Sequence, residues 1–493
     1  MNIFGNLKKE YDICIVGAGV LGSYLASLLV NSNKSILLLD AGPNDTPVLG
    51  RNFIKEITFP DLPYSGALLG RYFGLGGTGV AWGGSLVQYS NMDSYSSCKS
   101  EWSYIDSLYD NYAAEVLNNL SIPDNLKSEY FSGIYNKNSY ISDGILCNFT
   151  RIKSLNMPFY NRNFFEKYRR VFEKSENLQI LSNSALINYS VLEGGKKKLI
   201  LRNVLEANSV VETSCKFLVI ASGAIESSIL VSSYYDNTNT KLNNLSDHIS
   251  IPLFSFSGSL KSQIIKDFSP SIYNSWLLTN RLIFSNVKKI NFPHFLHFTF
   301  NDQSSSFFHF KKLLAAFQSR NFQLNSILNF FAAFSYFLRL LISYTLRKKV
   351  YFSPDSDVTL RFDFESSDPE INSVGISHNS NRFVNWSITD SDLERVNLVQ
   401  DTLYSLFIKN GVSEKDIKLI KHSLSSIRSS DNAYDAYHPC GMLSKYCSEA
   451  KVIGQHNVFA LSTASLPSAG NANPTFTSLC EAHSVAKLIL NND

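Results

Sequence analysis

The sequence predicts an α/β protein in which a Rossmann-like domain is discontinuous along the chain and an α+β domain is inserted into it. Three observations carry this. Residues 11–16 (YDICIV) form a short apolar strand pattern that runs directly into the turn Gly17-Ala18-Gly19-Val20-Leu21-Gly22 and an apolar helical stretch. Residues 217–226 (FLVIASGAIE) repeat the pattern of apolar strand, glycine turn and helix start. After residue 430 the chain carries two further tight turns, residues 437–441 (YHPCG) and 470–475 (GNANPT), and closes on an apolar helical run. Pieces of one domain thus fall at 1–240 and 431–493, and residues 241–430 read as an inserted substrate-binding domain.

The first element is the most specific. In a strand-turn-helix of the form GxGxxG, Gly17 makes the tight turn, Gly19 lets the backbone approach a pyrophosphate, and Gly22 packs the helix on the strand. The helix N-terminus adds free amide donors and a favourable dipole for phosphate. Residues 35–40 (SILLLD) read as a second strand ending in Asp40, roughly 18 residues past Gly22, near the spacing at which a carboxylate meets a ribose 2′-hydroxyl. The same charge repels a 2′-phosphate. An ordinary strand-end turn residue is the plainer reading of Asp40, and the motif context favours a dinucleotide. Further along, the alternation at residues 198–201 and the run before Gly223 suggest strands.

The last elements carry chemistry. A histidine and an asparagine on two tight turns, His438 and Asn473, can share one alcohol hydroxyl. An imidazole with an ordinary pKa near 6.5 accepts the hydroxyl proton, while the amide holds the oxygen. Alone, His438 would read as a satisfied structural histidine; beside Asn473 it reads as a base. His483, on the following helix, reads as a helix-face residue.

With both ends read, the chain resembles the glucose/methanol/choline (GMC) oxidoreductases, and the resemblance runs along nearly its whole length. Residues 71–84 (RYFGLGGTGVAWGG) are similar to that family's glycine-rich loop along the pyrophosphate and flavin ring, where backbone without side chains permits close approach. Trp102 with residues 112–115 is similar to the helix that follows the loop, and residues 217–226 to the strand and turn that return to the cofactor. Residues 245–248 (LSDH) resemble the start of the substrate domain, and residues 357–360 and 386–390 the strands lining its substrate face. The resemblance implies FAD as cofactor, held by Gly17, Gly19, Gly22, Asp40, Gly76, Gly77, Thr78, Trp82, Gly83, Gly223, Thr463, Ala464, Pro474 and Thr475. It also implies His438 as the base for hydride transfer from a carbinol carbon to flavin N5, with Asn473 orienting the oxygen.

Three departures stand out. Ala81 occupies the position where members that tether FAD covalently have a histidine, so the flavin is expected to be noncovalent. Thr463 stands where many members carry an aspartate; it keeps a hydroxyl but brings no charge. Residues 442–445 (MLSK) replace the commoner threonine-rich continuation after the histidine.

Composition sets outer bounds. At 493 residues the chain exceeds one simple core. A net charge of +3 with no long basic run gives no sign of nucleic-acid binding. Aromatic residues make up 13%, enough to line a large substrate cavity, although a compositional bias toward Phe, Tyr, Asn and Ser explains the figure as well. The seven cysteines, Cys14, Cys98, Cys147, Cys215, Cys440, Cys447 and Cys480, form no CxxC pair, and the spacing of His438, Cys440 and Cys447 is poor for a metal; no metal is expected. Residues 13–30 could pass for a membrane span, but the glycines explain them as strand, turn and helix. No signal-peptide pattern precedes them, so a cytoplasmic location is expected.

Residues 307–352 are the unusual segment. Ile327, Leu328, Phe331, Phe334, Leu338, Leu341 and Ile342 recur at helical spacing, and Arg347, Lys348 and Lys349 follow. The preferred expectation is an aromatic helical lid or core helix; the alternative is an interfacial membrane helix with a basic anchor. Arg339 interrupts a span of the roughly 20 apolar residues a bilayer requires.

The expected activity is therefore FAD-dependent oxidation of a hydroxyl of a sugar, glycan or similar metabolite. A hydroxylated lipid or sterol oxidised at a membrane surface is one alternative, and a flavin-binding accessory protein without alcohol chemistry is another. An NAD-dependent dehydrogenase leaves His438 and Asn473 without work. Oxygen, a quinone or a carrier protein can each serve as electron acceptor for the same hydride-accepting half.

Overall fold

The computed structural model describes residues 4–50, 57–89, 99–127, 149–206, 208–235, 241–284, 289–302, 304–319, 324–377, 381–429, 434–435 and 437–492. Cys98, Cys147 and the expected domain joints at residues 240 and 430–431 lie outside them.

Strand β1 (Glu10–Val16) lies at the centre of a parallel sheet. It pairs on one side with Val210–Ile220 and on the other with β2 (Ile36–Leu39); Val458–Ala460 and Leu178–Leu181 extend the sheet outward. These strands are near-continuous apolar runs because both faces are covered. Ile13, Ile15, Ile36, Leu38, Phe217 and Val219 enter one core cluster, whereas Cys14, Val16, Leu37, Leu39, Leu218 and Ile220 enter the other. That division is the period-two geometry of strands buried between two layers. Helix α1 (Val20–Leu29) and the C-terminal helix Thr475–Asn491 pack together on one face, joined by Tyr24 Oη and His483 Nε2 at 2.9 Å. His483 is thus a structural partner, as its helix position suggests. Residues from both ends and the middle of the chain build this one sheet.

A second, antiparallel sheet runs in the order Ile417–Leu419, His248–Phe256, Asp357–Glu365, His294–Asn301, Trp276–Phe284, Phe149–Asn156 and Ser85–Leu86. Its core holds much of the aromatic content, including Phe254, Phe256, Phe292, Phe362 and Phe364. This sheet corrects the expected boundaries. Residues 85–86, 149–156 and 434–435 belong to it although they lie outside 241–430, because hydrogen-bonded ladder partners rather than chain position define a sheet. Residues 386–390 are a second correction: the strand is Arg382–Asn385, the Trp386 ring packs tilted against Tyr64 with centroids 5.1 Å apart, and Thr389 caps the helix Asp390–Lys409 through a capping box with Asp392.

Within residues 307–352, α2 (Ser305–Ser319) packs along α3 (Leu324–Arg347). The expectation of a lid or core helix does not hold. Among the described residues, Phe331, Phe334, Leu338, Leu341 and Ile342 of α3 are exposed, and neither helix lines the large cavity described below. The periodicity was correctly helical, but the outward face is the apolar one.

Two glycines set the geometry of the β1–α1 turn. Gly17 has φ +106°, and a Cβ there would lie 2.4 Å from the Ala221 carbonyl oxygen, so the ends of β1 and Val210–Ile220 could not approach. A Cβ on Gly22 would lie 1.8 Å from the Gly17 carbonyl oxygen. Backbone is there, which cannot rotate away as a side chain would. Gly22→Ala is therefore expected to destabilise the fold by about 1–3 kcal/mol through overpacking. Urea unfolding monitored by circular dichroism checks this, and an unchanged midpoint would contradict the packing role.

Candidate active site

The parallel strands end at one large cavity of ≈ 950 Å³, near the upper end of the roughly 300–1,000 Å³ usual for small-molecule and cofactor sites. It runs from the glycine turn at Gly17 and Gly19, past Thr78, Trp82 and Gly83, to His438 and Asn473. This placement outside the carboxyl ends of parallel strands is where open α/β sheets bind ligands.

At the glycine end, α1 begins at Gly19 with no side-chain cap and no acidic residue in its first turn. Its first amides therefore face the cavity unpaired by side chains, an anion site by geometry and dipole. A Cβ on Gly19 would meet nothing closer than the Gly77 Cα at 4.0 Å. Gly76 and Gly77 dock directly on this turn: Gly76 N–H donates to the Ala18 carbonyl at 2.8 Å, and a Cβ on Gly77 would lie 2.9 Å from the Gly19 Cα.

Asp40 lines the cavity as expected, yet its carboxylate already has three partners. Oδ2 accepts from Ala18 N–H at 2.9 Å, and Oδ1 accepts from Gly42 N–H at 2.9 Å and Gly74 N–H at 2.8 Å. Burial raises its pKa, while those three bonds favour the charged form. Its demonstrated role is to bind the first glycine turn to the 71–84 loop. Glu226 supplies a second fixed charge on the wall, paired with Arg71 at 2.7 Å and Arg382 at 3.3 Å.

Of the other expected cofactor residues, Gly17, Gly77, Thr78, Trp82, Gly83, Gly223, Thr463 and Thr475 line the cavity. Gly22, Gly76, Ala464 and Pro474 do not; they support the turns behind it. The Thr463 hydroxyl donates to the Pro439 carbonyl at 2.6 Å and so steadies the turn that carries His438. Aromatic lining is limited to Tyr72, Phe73, Trp82 and Tyr437, so the aromatic richness of the chain serves mainly its cores.

At the far end the two turns come together as expected. His438 Nε2 lies 2.6 Å from Asn473 Nδ2. Tyr437 has φ 63°, a left-handed conformation uncommon for a bulky residue, and Gly441 has φ +87° with its missing Cβ facing the Asn244 carbonyl oxygen at 2.4 Å. The turn is stitched to the second sheet by reciprocal backbone bonds between Ser246 and Cys440 of 3.0 and 2.8 Å.

Two further residues complete the site, His248 and Arg281. His248 Nε2 lies 2.8 Å from the Gly470 carbonyl, which can only accept, so Nε2 carries the proton. Neutral His248 then accepts at Nδ1, which lies 3.1 Å from His438 Nδ1, so His438 carries its proton on Nδ1. The consequence is an unprotonated His438 Nε2 directed at Asn473. Arg281 fixes the other half: its guanidinium donates to Asn473 Oδ1 and sits 4.0 Å over the Phe295 ring, which turns the Asn473 amide N–H toward His438. Both imidazoles, His248 and His438, are neutral at pH 7. Burial pushes His248 down to about 4, and burial together with neighbouring His248 and Arg281 holds His438 well below the ordinary histidine value.

Asp247, His248 and His438 are close enough to gather round a cation. Asp247 is instead occupied by donors: Oδ1 accepts from the backbone N–H of His248 at 2.7 Å and of His438 at 2.9 Å, and Oδ2 accepts from Tyr64 Oη at 2.5 Å. With the imidazoles bonded to each other, this is a hydrogen-bond network. His248 stood within the LSDH segment of the sequence, whereas nothing in the sequence around Arg281 marks it.

No family model and no curated protein matches the sequence. Solved structures do match over nearly full length. The chain resembles pyridoxine 4-oxidase from Mesorbium loti at 13% identity and TM-score 0.56, covering 98% of this chain and 99% of that one. It resembles a fungal aryl-alcohol oxidase at 12% identity and TM-score 0.54, covering 98% and 99%, and a formate oxidase at 12% identity and TM-score 0.55, covering 98% of both chains. The fold is that of the GMC oxidoreductases, as the resemblance of its motifs implied.

The neutral His248 has a consequence for stability. Its unfolded value near 6.5 and folded value of about 4 mean that both states are neutral above pH 6.5, where its contribution is fully present; below that the unfolded chain gains a proton first, and stability is lost as pH falls toward 4. The shift corresponds to about 3 kcal/mol across that window. Urea titrations at pH 7 and 4.5 are expected to show a smaller acid loss in His248→Gln than in wild type. Equal losses would show that this imidazole is not the group responsible.

Proposed function

We propose that the protein oxidises a CH–OH group to a carbonyl with FAD as cofactor, His438 as base and Asn473 as the group that holds the hydroxyl oxygen. The observation that carries the reading is the unprotonated Nε2 of His438, fixed by the chain Gly470 carbonyl, His248, His438 and paired with the Asn473 amide N–H on the wall of the same cavity as the glycine turn, where a substrate hydroxyl would enter between them. Formate oxidase from Aspergillus oryzae contains FAD that undergoes modification, and pyridoxine 4-oxidase and aryl-alcohol oxidase are named for alcohol substrates.

The residues present fit FAD. The uncapped start of α1 and the open side of Gly19 suit the pyrophosphate, and Thr78, Ala81, Trp82, Gly83, Ser184 and Arg202 line the same cavity as His438 and Asp40. Ala81 presents only a methyl group to the cavity and offers the flavin no point of attachment there, which supports noncovalent binding. When bound, FAD supplies the acceptor for the carbinol hydride. Nε2 of His438 takes the hydroxyl proton, and its Nδ1–H keeps an acceptor in His248 after it becomes charged. Arg281 holds Asn473 Oδ1, so the amide N–H that meets His438 Nε2 in this structure would turn to a substrate oxygen placed between the two side chains.

The substrate reading offered first is a sugar, glycan or comparable metabolite. A hydroxylated lipid or sterol is the second, favoured by the exposed apolar face of α3. A non-catalytic flavin protein would have no use for an imidazole relay that ends in an unprotonated nitrogen beside an asparagine on the cavity wall.

Anaerobic titration with sugars, glycans and hydroxylated lipids, followed by visible flavin absorbance, tests the reading. One class is expected to bleach the flavin, and readmitting air then separates an oxidase, which recovers rapidly, from a dehydrogenase that needs a quinone or carrier protein. His438→Ala is expected to retain flavin while losing ~10²- to 10⁴-fold in the rate of bleaching. An unchanged rate would exclude His438 as the base, and absence of flavin from the reconstituted wild type would exclude the cofactor.

A further inference from the structure

We infer that α2 and α3 form a docking surface for a lipid bilayer with anionic headgroups, on which α3 lies flat rather than spanning. One flank of α3 is fastened to the protein. Tyr336 Oη donates to the Tyr351 carbonyl at 2.8 Å, Arg339 reaches Tyr351 Oη at 3.2 Å, and the Ser343 hydroxyl donates to the Lys349 carbonyl at 2.9 Å. These positions, spaced three and four apart, define one face of a helix. The chain then rejoins the second sheet at once, through Ile272 N–H to the Lys348 carbonyl at 2.6 Å and Val350 N–H to the Pro270 carbonyl at 2.9 Å. At the other flank α2 is held by His309 Nδ1 and Asn329 Oδ1 at 2.7 Å and by Phe307 and Phe310 around Tyr336. Fastened along its length to one globular body, α3 has no way to cross a membrane, although Ile327–Arg347 is long and apolar enough to do so.

The opposite face points outward and is apolar from Ile327 to Leu346, a length of roughly 30 Å at 1.5 Å per residue. Leu328 is 66% exposed, Phe331 71% and Leu346 78%, values expected for charged residues on a helix in water. A soluble helix turns this stripe inward; here the buried positions are Ala333 and Tyr336 on the fastened side. Monomeric proteins seldom expose a continuous apolar patch of more than a few hundred Å² without a partner.

Charge identifies that partner. Between Asp302 and Asp355 the sequence carries seven Lys and Arg and no acid. Exposed Lys311, Lys312, Arg339, Arg347 and Lys348 border the apolar stripe, with Lys312 and Lys348 resting over the Phe308 and Tyr344 rings at 4.4 and 4.5 Å. Apolar side chains facing out with basic groups set back along their border match acyl chains below a layer of anionic headgroups. A second copy of this surface would bring basic rims together. On its inner side α2 packs against Phe159–Asn161, and the carbonyl of the next residue, Arg162, accepts the indole N–H of the cavity residue Trp82 at 2.9 Å. The inference deepens the lipid reading of the site, but vesicle binding is read without turnover, so either can fail alone.

The test uses the full flavin-reconstituted chain with vesicles of phosphatidylcholine alone and of phosphatidylcholine mixed with phosphatidylserine. Wild type is expected to co-sediment with the mixed vesicles, less with the neutral ones, and less again at high salt. Phe331→Glu with Phe334→Glu and Leu338→Glu is expected to lower partitioning at least about tenfold while circular dichroism is unchanged, since all three side chains are exposed. Phe331→Trp is expected to shift its emission to the blue on adding mixed vesicles. Folded wild type that stays in the supernatant overturns the inference. So does a wild-type dimer in light scattering that the triple variant abolishes without any vesicle binding, which would assign the face to a second copy.

Discussion

The site depends on one buried carboxylate. Asp247 accepts from the backbone N–H groups of His248 and His438 and from the Tyr64 hydroxyl, and so holds together three segments separated by nearly the whole chain. A buried carboxylate is costly unless donors surround it, and here three do. Once this junction forms, the two imidazoles have little freedom. Their backbones are pinned to the same oxygen, their rings meet at 3.1 Å, and the Gly470 carbonyl decides which nitrogen carries each proton. Distance alone would bring the two histidines together; the carbonyl makes one of them a base with a defined open nitrogen.

A similar economy operates at the glycine end through Asp40. The strand-end acid holds the Ala18, Gly42 and Gly74 amides, so the first turn and the 71–84 loop form one rigid wall. The two carboxylates do parallel work: Asp40 accepts from three backbone amides on the cavity wall, and Asp247, behind the wall, from two backbone amides and the Tyr64 hydroxyl. The sheet supplies what lies between them. Because β1, β2 and Val210–Ile220 end side by side, their turns open into the same cavity, and the close approach at Gly17 and Gly22 leaves no room for a side chain to narrow it.

What the sequence disclosed follows from how local each feature is. The glycine turn and the strand before it are determined within about a dozen residues, and both were legible. His438 and Asn473 were legible because each sits on a turn whose residues announce it. Asp40 was placed correctly by spacing, but which atoms its oxygens meet is a tertiary fact. His248 and Arg281 act on groups about 190 residues away, and no periodicity reports such a contact. The strand Phe149–Asn156 joined the second sheet against its chain position for the same reason, since its partner is Trp276–Phe284. The face of α3 shows the sharpest limit: helical spacing of apolar residues reads identically whether the stripe turns inward or outward, and only the polar bonds of Tyr336, Arg339 and Ser343 decide.

In the proposed reaction, the depressed basicity of His438 bears on the order of events at the carbinol. Burial, the neighbouring imidazole and the Arg281 guanidinium all oppose a positive charge there. A strong resting base would pull the alcohol proton before the carbon–hydrogen bond was ready to break and leave an alkoxide to be stabilised in a buried cavity. A weak base leaves the hydroxyl intact until the carbon begins to lose hydride and the oxygen grows acidic, so proton and hydride depart together or nearly so. Burial and Arg281 then favour release of the proton from the imidazolium, opposed by the Asp363 carboxylate and by the acceptor at His248 Nδ1, a neutral ring that itself resists protonation. In the proposed reaction the relay thus holds a proton only briefly, because two neutral imidazoles beside a fixed cation disfavour the charge.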